Sequence, residues 1–396
     1  MTLIWTIMNS CFSKIKRIAI LGSTGSIGRN ALRVVRNYPD KFRVVALTTG
    51  SDIATLKGQL KEFRPDYACV SEPAAAKKLK SQLGKNSKIF QGEGGLLSLL
   101  RQEKIDQVLL AISGSAALRP LLAAIAAGRQ IALANKEALV MAGALVMLEA
   151  QKKKAQIIPV DSEQSAIWQC LAGQKRSQLR KIYLTASGGP FLKTRGSALK
   201  NVSIAKVLNH PRWKMGRKIS VDSANLMNKG LEVLEAIFLF GASVEKIKVL
   251  IHPQAIIHSM VEFIDGVVLA QLSATDMRIP IQYALTYPER LPELSPGVDF
   301  YKLKALNFQP PDFKKFPCLG LAYRAASELG TMPAVMNAAN EVCVGAFLNK
   351  QLDFSLIPEV IEKVMDRHKS IAHPALNDIL AADGWARKEA YAVIQN

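Results

Sequence analysis

A glycine-rich turn directly after an apolar segment is the feature that most limits how this chain can fold. Residues 17–21 (RIAIL) have the composition of a buried strand, and residues 22–28 (GSTGSIG) place a glycine at every third position. Glycines at this spacing let the backbone turn tightly and approach a pyrophosphate, whose charge the N-terminus of the following helix stabilises. A helical pattern and a second apolar strand at 42–47 follow. The sequence therefore predicts the first βαβ unit of a dinucleotide-binding domain.

The second strand leads into Gly50, Ser51 and Asp52, where the adenosine ribose of a dinucleotide should lie. An acid at this position usually accepts the 2′-hydroxyl of NAD, whereas a basic residue accommodates the 2′-phosphate of NADP. The local chemistry leaves the choice between the two cofactors open.

Strand and helix patterns continue to alternate beyond this unit. Further strands are predicted at 67–70, 107–112 and 130–134. Repeated βα units imply a doubly wound, largely parallel sheet, and ligands on such sheets lie at the carboxyl ends of the strands. We therefore expect a site at that edge, where the strand 130–134 runs into Asn135 and Lys136.

Three carboxylates are spaced so that they could share one cation. Asp161 and Glu163 follow an apolar run, and side chains at i and i+2 of an extended segment point the same way. Glu232 lies four residues after Asn228 and so shares its helix face. Because no His or Cys pair accompanies them, these acids suit Mg²⁺ or Mn²⁺ better than zinc. For the Asp-x-Glu pattern alone, two solvated acids at a strand end are the alternative.

The central region adds candidate anion donors. Ser187 precedes two glycines, and Ser223, Asn228 and Lys229 supply hydroxyl, amide and ammonium groups suited to a phosphate monoester. Residues 209–217 (NHPRWKMGR) could fold over an anionic substrate and exclude water, or form a surface loop whose tryptophan packs on the core. Asp265-Gly266 between two apolar strands is a hairpin signal, and this apolar hairpin is a plausible dimer interface.

The domain organisation predicted from these patterns has four parts. Residues 1–161 form a Rossmann-like α/β domain, and residues 162–287 form a central α+β catalytic and dimerisation domain with its own sheet. Residues 288–312 are rich in proline and polar residues and read as a linker, and helical spacing over 313–396 predicts a small helical domain.

Composition narrows the class of protein. The net charge of +20 is dispersed, with a longest basic run of only Lys152–Lys154, so it suits anionic small molecules rather than nucleic acid. Five scattered cysteines without a Cys-x-x-Cys pair indicate reduced thiols in a cytoplasm. No apolar run reaches the roughly 18 residues of a membrane span. The first eight residues lack the features of a signal peptide, and Met8 is an alternative start.

Taken together, the motifs resemble the 1-deoxy-D-xylulose 5-phosphate reductoisomerase family in content and in order. The resemblance runs from about residue 15 to the C-terminus, and it is carried by residues 22–28 (GSTGSIG), 134–137 (ANKE), 159–163 (PVDSE), 186–190 (ASGGP), 209–211 (NHP), 215–223 (MGRKISVDS), 227–232 (MNKGLE), 251–254 (IHPQ), 316–319 (FPCL) and 337–341 (NAANE).

The resemblance implies an enzyme dependent on NADPH and on Mg²⁺ or Mn²⁺, with Co²⁺ as an option. It would convert 1-deoxy-D-xylulose 5-phosphate to 2-C-methyl-D-erythritol 4-phosphate, on the methylerythritol phosphate route to isoprenoids. A retro-aldol and aldol rearrangement would precede hydride reduction. Members of the family are typically homodimers, and we expect a cytoplasmic homodimer that binds a phosphorylated sugar and neither nucleic acid nor membrane.

The same resemblance assigns site residues by position. The NADPH site would consist of Thr24, Gly25, Ser26, Ile27, Gly50, Ser51, Asp52, Asn135, Glu137 and Gly216. The metal ligands would be Asp161, Glu163 and Glu232. The substrate would be bound at its reacting end by Lys136, Ser162 and the metal ligands Glu163 and Glu232, at its phosphate by Ser187, Ser223, Asn228 and Lys229, and by His210 from the loop. The catalytic residues would be Lys136, Glu163, His210 and Glu232.

Three positions depart from the family pattern. Asp52 stands where asparagine is common, which weakens the NADPH assignment. Gln164 replaces a histidine, a change expected behind the metal ligands, and Ala255 replaces a serine near the substrate. Two other functions would fit parts of the sequence: a dehydrogenase with a reactive cysteine near a histidine, and a basic nucleic-acid-binding module on a dinucleotide fold.

Overall fold

A parallel sheet of seven strands forms the amino-terminal half of the computed structural model, which describes residues 15–83, 88–200, 202–213, 215–292 and 294–395. The first eight residues, for which no signal peptide is predicted, and Cys11 lie outside these ranges. The strands, in chain order, are β1 (Lys16–Leu21), β2 (Phe42–Thr49), β3 (Tyr67–Val70), β4 (Ile89–Gln91), β5 (Gln107–Leu110), β6 (Gln130–Leu133) and β7 (Ile157–Pro159).

The strand order is β4-β3-β2-β1-β5-β6-β7, and every neighbouring pair is parallel. Ile18 and Ile20 of β1 pack into one apolar core and Ala19 and Leu21 into another, as expected when helices cover both faces of a parallel sheet. The helices are α1 (Ser26–Asn37), α2 (Ile53–Phe63), α3 (Pro73–Leu83), α4 (Gly92–Leu100), α5 (Leu118–Ala126) and α6 (Glu137–Lys153). The order reverses between β1 and β5, where doubly wound sheets bind ligands.

A second sheet has four strands, in the order β11-β10-β8-β9. The strands are β8 (Leu179–Ala186), β9 (Ile247–Ile251), β10 (Ile257–Phe263) and β11 (Val268–Leu272). The hairpin predicted at Asp265-Gly266 joins β10 to β11, with Gly266 at φ +85°. Helices α7 (Ser162–Cys170), α8 (Ile204–Leu208), α9 (Arg217–Ala224) and α10 (Met227–Phe240) lie in this part of the chain. The expected α/β architecture is therefore confirmed.

The chain then returns to the first sheet before it reaches the helical end. Helix α11 (Arg278–Thr286) buries Ile281 and Leu285 in the core that contains Ile18 and Ile20, so it also belongs to the first layer. The segment after it pairs with the second sheet through Ile251 and Gln309. Four helices follow: α12 (Pro317–Glu328), α13 (Met332–Leu348), α14 (Ile357–Arg367) and α15 (Leu376–Gln395). None of the helices within the described ranges is long and apolar enough to cross a bilayer.

Candidate active site

The glycine turn after β1 is packed too closely to accept side chains at two positions. Gly22 has φ +82°, and a Cβ there would lie 2.6 Å from the carbonyl oxygen of Ala111. A Cβ on Gly28 would lie 2.3 Å from the carbonyl oxygen of Gly22, so α1 sits directly on the turn. The first turn of α1 carries no acidic residue, and Ser26 and Ile27 line a cavity that the three predicted metal ligands also line. This helix N-terminus therefore suits a pyrophosphate.

The residues after β2 are arranged around the start of α2. Asp52 caps this helix, because its Oδ1 accepts a hydrogen bond from Thr55 N at 3.0 Å. Gly50 and Ser51 are exposed, and the hydroxyl of Thr24 is 2.7 Å from that of Thr49. The predicted ribose end thus lies at the surface beside the glycine turn.

Asn135 and Glu137, both predicted at the cofactor, form a buried framework in this structure. Asn135 Nδ2 donates to the carbonyl oxygens of Ile112 and Gly114, at 2.8 and 3.0 Å, and to Glu137 Oε2. Burial would raise the pKa of Glu137, but Lys218, whose Nζ is 2.6 Å from Glu137 Oε1, lowers it overall. Neither residue lines the cavity, whereas Gly216 does.

The three predicted metal ligands do converge. One carboxylate oxygen from each of Asp161, Glu163 and Glu232 lies within 4.8 Å of the others. The reason given from the sequence for the first pair is wrong, however. Strand β7 ends at Pro159, so Asp161 is the N-cap of α7 and Glu163 lies in that helix's first turn. A helix start, rather than an extended strand, points both side chains at the site.

Two lysines occupy positions among these carboxylates. Lys136 Nζ donates to Asp161 Oδ2 at 2.7 Å and to Glu232 Oε1 at 3.3 Å. Lys229 Nζ donates to Glu163 Oε1 at 2.9 Å and also contacts Glu232 Oε2. Both lysines are buried. Three hard oxygen ligands this close together fit a divalent cation, which would compete with the two ammonium groups.

Burial and neighbouring charges together set the electrostatics of this cluster. Burial and the neighbouring charge of Glu163 raise the pKa of Glu232. For Glu163, burial acts in the same direction, but the charges of Lys229 and His258 lower its pKa overall. Glu235, one turn beyond Glu232 on α10, is also buried, and burial raises its pKa. The sequence analysis missed Glu235, although its i+3 spacing from Glu232 was a usable signal.

Ser187 and His210 also line the cavity and contact each other. Ser187 Oγ is 3.0 Å from His210 Nε2, and His210 Nδ1 accepts hydrogen bonds from the backbone N–H groups of Arg212 and Trp213. Because Nδ1 accepts, Nε2 carries the proton and donates to Ser187. Burial lowers the pKa of His210 to about 4. The histidine is therefore neutral and holds its loop against the turn at Ser187.

The structure only partly brings together the four residues that were predicted to bind the phosphate. Ser187 and Ser223 both line the cavity, and a Cβ on Gly189 would lie 2.7 Å from the carbonyl oxygen of Ser223. Asn228 instead accepts from Lys136 and donates from Nδ2 to Glu232 Oε1 at 2.7 Å. As described above, Lys229 also lies with the carboxylates, so two of the four predicted phosphate donors face the metal side.

A single cavity of about 160 Å³ connects these groups. It reaches from Ser26 and Ile27 at the glycine turn to the three carboxylates and on to Ser187. Several lining residues were not among the site residues predicted from the sequence: Thr185, Met215, Ile219 and His258. Gln164 lies behind the ligands as expected, donating from Nε2 to the main-chain oxygen of Glu232 at 2.8 Å.

The cysteines give no support to a thiol-based dehydrogenase. All four within the described residues are buried and free. Burial raises the pKa of each of them: Cys69, Cys170, Cys318 and Cys343. Since the thiolate is the nucleophile, these are unreactive packing residues.

Comparison with known proteins identifies the family. The sequence profile of 1-deoxy-D-xylulose 5-phosphate reductoisomerase matches residues 18–143, and profiles of C-terminal domains of this reductoisomerase match residues 157–240 and 272–389. The reductoisomerase of Thermodesulfovibrio yellowstonii is 49% identical over 375 residues, covering 95% of this chain and 98% of the relative. That of Caldanaerobacter subterraneus subsp. tengcongensis is 50% identical and covers 93% and 96%.

Solved structures agree with the sequence matches. A crystal structure of DOX-P reductoisomerase in complex with NADPH, fosmidomycin and magnesium has a TM-score of 0.91 at 39% identity, covering 96% of this chain and 98% of that one. The Zymomonas mobilis enzyme in complex with NADPH has a TM-score of 0.89, also at 39% identity, and covers 97% and 100%.

The doubly wound sheet and the glycine turn are typical of an α/β dinucleotide-binding enzyme, and the adjoining carboxylates fit a divalent cation. Within that class, the matches over nearly the whole length are specific. The chain belongs to the 1-deoxy-D-xylulose 5-phosphate reductoisomerase family.

Proposed function

We propose that the cavity between the glycine turn and the three carboxylates is where this chain carries out the reaction of its family. The chain is an NADPH- and divalent-metal-dependent oxidoreductase that converts 1-deoxy-D-xylulose 5-phosphate to 2-C-methyl-D-erythritol 4-phosphate in isoprenoid biosynthesis. The observation that carries the assignment of the site is the convergence of Asp161, Glu163 and Glu232 within 4.8 Å beside that turn.

Asp161, Glu163 and Glu232 would hold Mg²⁺ or Mn²⁺, and Ser26, Ile27 and the rest of the turn would hold the pyrophosphate of NADPH. When bound, the cation would supply Lewis-acid polarisation of the substrate's ketone, and NADPH would supply the hydride that reduces the aldehyde left by a retro-aldol and aldol rearrangement. These assignments rest on the fit of hard oxygen ligands and of an acid-free helix N-terminus to the two groups.

The chain's own residues would bind and orient the substrate. Lys136 would stabilise the oxyanion charge that develops at the reacting end, since its ammonium already lies among the carboxylates. Ser187 and Ser223 would bind the phosphate from the far side of the cavity. Lys229 and Asn228 would join them once a dication takes over the carboxylates they now contact. Phosphate binding would then supply energy to close the His210 loop and exclude water.

The oligomeric state and the compartment are part of this proposal. Strand β11 is the outer strand of its sheet, and Val268 and Leu269 are 45% and 38% exposed. An exposed apolar edge strand favours pairing with a second copy, hence a homodimer. Free cysteines throughout the described residues fit the reducing environment of the cytoplasm.

The test measures NADPH consumption with 1-deoxy-D-xylulose 5-phosphate in the presence of Mn²⁺, with a chelator, and with NADH in place of NADPH. Asp161→Asn removes a metal ligand and should leave folding intact. Losing a residue that only hydrogen-bonds a metal ligand typically lowers metal affinity roughly 10–100-fold, so Mn²⁺ affinity should fall by more than that. Asp40→Asn, at an exposed acid, is the matched control. Full turnover of Asp161→Asn at limiting Mn²⁺ would contradict the metal assignment.

A further inference from the structure

The ribose end of the cofactor site presents an electrostatic conflict. The family uses NADPH, whose 2′-phosphate is a dianion, yet the residue after the second strand and its turn is Asp52. An acid at this position normally accepts the 2′-hydroxyl of NAD and repels a phosphate. Some other group near the end of β2 must therefore compensate for the acid if NADPH is the cofactor.

Asp52 is already committed to the protein. Its Oδ1 caps α2 through Thr55 N, and the hydrogen bonds from Thr55 lower its pKa, so the carboxylate is charged. Its Oδ2 is 3.8 Å from a guanidinium nitrogen of Arg29. The acid therefore lies between a helix N-terminus and a cation, and both reduce its repulsion of a nearby phosphate.

Arg29 is held in place beside this end of the site. It lies in the first turn of α1, and its Nε donates to the carbonyl oxygen of Thr24 at 2.6 Å. Its side chain is 58% exposed, and the 3.8 Å to Asp52 is too long for a hydrogen bond, so its terminal N–H groups remain available to a ligand. A Cβ added to Gly50, two residues before Asp52, would have no atom within 4 Å, so there is open space at this position.

We propose that Arg29 binds the 2′-phosphate of NADPH and determines the preference for NADPH over NADH in this chain, while Asp52 serves as a helix cap. Arginine presents paired N–H donors that match a phosphate, and its fixed Nε orients them. Ser51, an exposed residue next to Asp52 in the sequence, offers a further hydroxyl donor. This inference rests on the proposed function only in its choice of cofactor.

The test is direct binding, measured by calorimetry on the full chain with NADPH, NADH, adenosine 2′,5′-bisphosphate and AMP. Arg29→Ala should weaken binding of NADPH and of the bisphosphate by about 10- to 100-fold, the usual effect of losing a charged hydrogen bond. Binding of NADH and AMP should change less than about threefold. Arg33→Ala removes the same charge one turn along α1, from an exposed side chain bonded to Asn30, and should change none of the four affinities.

Two results with Arg29→Ala, and one with Asp52→Asn, would overturn the inference. Equal weakening of NADPH and NADH would mean that Arg29 only supports the glycine turn, and unchanged NADPH binding would mean that it plays no part. Asp52→Asn retains the helix cap, because asparagine caps as well as aspartate, and should leave NADH binding unchanged. Selective loss of NADH binding in that variant would show that Asp52 contacts the ribose instead.

The binding data separate this inference from the proposed reaction. If the wild-type chain binds NADPH through Arg29 but does not consume it with 1-deoxy-D-xylulose 5-phosphate, the proposed reaction fails and the inference stands. If it consumes NADPH and Arg29→Ala binds as the wild type does, the reaction stands and the inference fails. Thermal unfolding of each variant shows whether the fold is intact.

Discussion

Lys229 contacts two predicted metal ligands and is also predicted to bind the substrate's phosphate, so the two roles compete for one ammonium group. Its ammonium neutralises Glu163 and Glu232 in this structure, although its motif also fits a phosphate anchor. Removing one partner of a buried ion pair leaves a charge uncompensated and costs ~3–5 kcal/mol. We therefore expect Lys229→Met to lower the free energy of unfolding by about that amount without metal, and Mn²⁺ to restore most of it by mass action.

The measurement is urea unfolding with and without Mn²⁺, together with the KM for the phosphorylated substrate, which should rise. Lys206→Met, at an exposed lysine of α8, should change neither quantity. A loss of stability in Lys229→Met that Mn²⁺ does not reverse would argue against a shared metal and lysine site.

His210 makes the substrate loop sensitive to pH. Its pKa in the folded chain is about 4, below the 6.5 of a free histidine, because it is buried. The folded state thus disfavours the proton, so the stabilisation is complete above pH 6.5 and is lost as pH falls toward 4. Relative to His210→Asn, the wild type should lose on the order of 1 kcal/mol over that interval, after allowance for partial exposure.

Urea unfolding at a series of pH values checks this expectation. His373→Asn changes an exposed histidine and keeps His210, so the wild type should show no such loss relative to this matched control. A stability difference between the wild type and His210→Asn that stays constant from neutral pH to pH 4 would mean that the neutral His210 does not stabilise the loop.

At the scale of single residues, the sequence predicted which three acids converge but not the geometry that brings them together. Asp161, Glu163 and Glu232 converge as expected, but the first two do so from a helix start. The contacts of Lys136 and Lys229 with those acids could not be read from spacing, because they depend on how separate helices pack. A buried lysine must pair with an anion, and the tertiary structure determines which anion is near enough.

At the scale of elements, the loop after β5 links the cofactor turn to the helical end of the chain. The carbonyl oxygen of Ala111 faces Gly22, and Ser115 N donates to Glu341 Oε1 at 3.0 Å. Glu341 lies on α13 and also pairs with Arg387 of α15 at 2.7 Å. The helical domain therefore holds one side of the glycine turn through this carboxylate.

Glu341→Gln keeps the shape of the side chain and removes its charge, so the loop should loosen. Hydrogen bonds to charged groups contribute roughly 1.5–3 kcal/mol, and we expect NADPH to bind about 10-fold more weakly while Mn²⁺ affinity is unchanged. Calorimetry with each ligand measures both. Glu359→Gln, at an exposed acid of α14, is the control. Equal losses of NADPH and Mn²⁺ affinity would indicate general destabilisation instead.

The strands and helices with a clear apolar pattern could be predicted from the sequence, whereas the contacts between distant elements could not. Strands β1 and β2 and the β10–β11 hairpin carry strong local signals, namely apolar runs next to glycine turns. The packing of α11 on α1 and the link from Glu341 to Ser115 join residues far apart in sequence, and no local pattern encodes them.

At the scale of the whole molecule, the second sheet contributes both to the site, through β8, and to the surface, through its edge strand β11. Strand β8 leads into Ser187 at the cavity, whereas β11 ends the sheet with its outer edge open. Ile264 and Val267 of the connecting turn are 65% and 52% exposed, which extends the apolar surface of β11. Such a surface is the mark of an interface between proteins.

We therefore expect Leu269→Lys to convert a dimer into monomers at micromolar concentration, because a lysine on an edge strand opposes pairing with a second copy. Light scattering coupled to gel filtration gives the mass of the particle directly. Leu148→Lys is a matched control, since Leu148 is 48% exposed on α6, and it should remain dimeric. A wild-type chain that is monomeric under the same conditions, or a Leu269→Lys variant that stays dimeric, would rule out this edge as the interface.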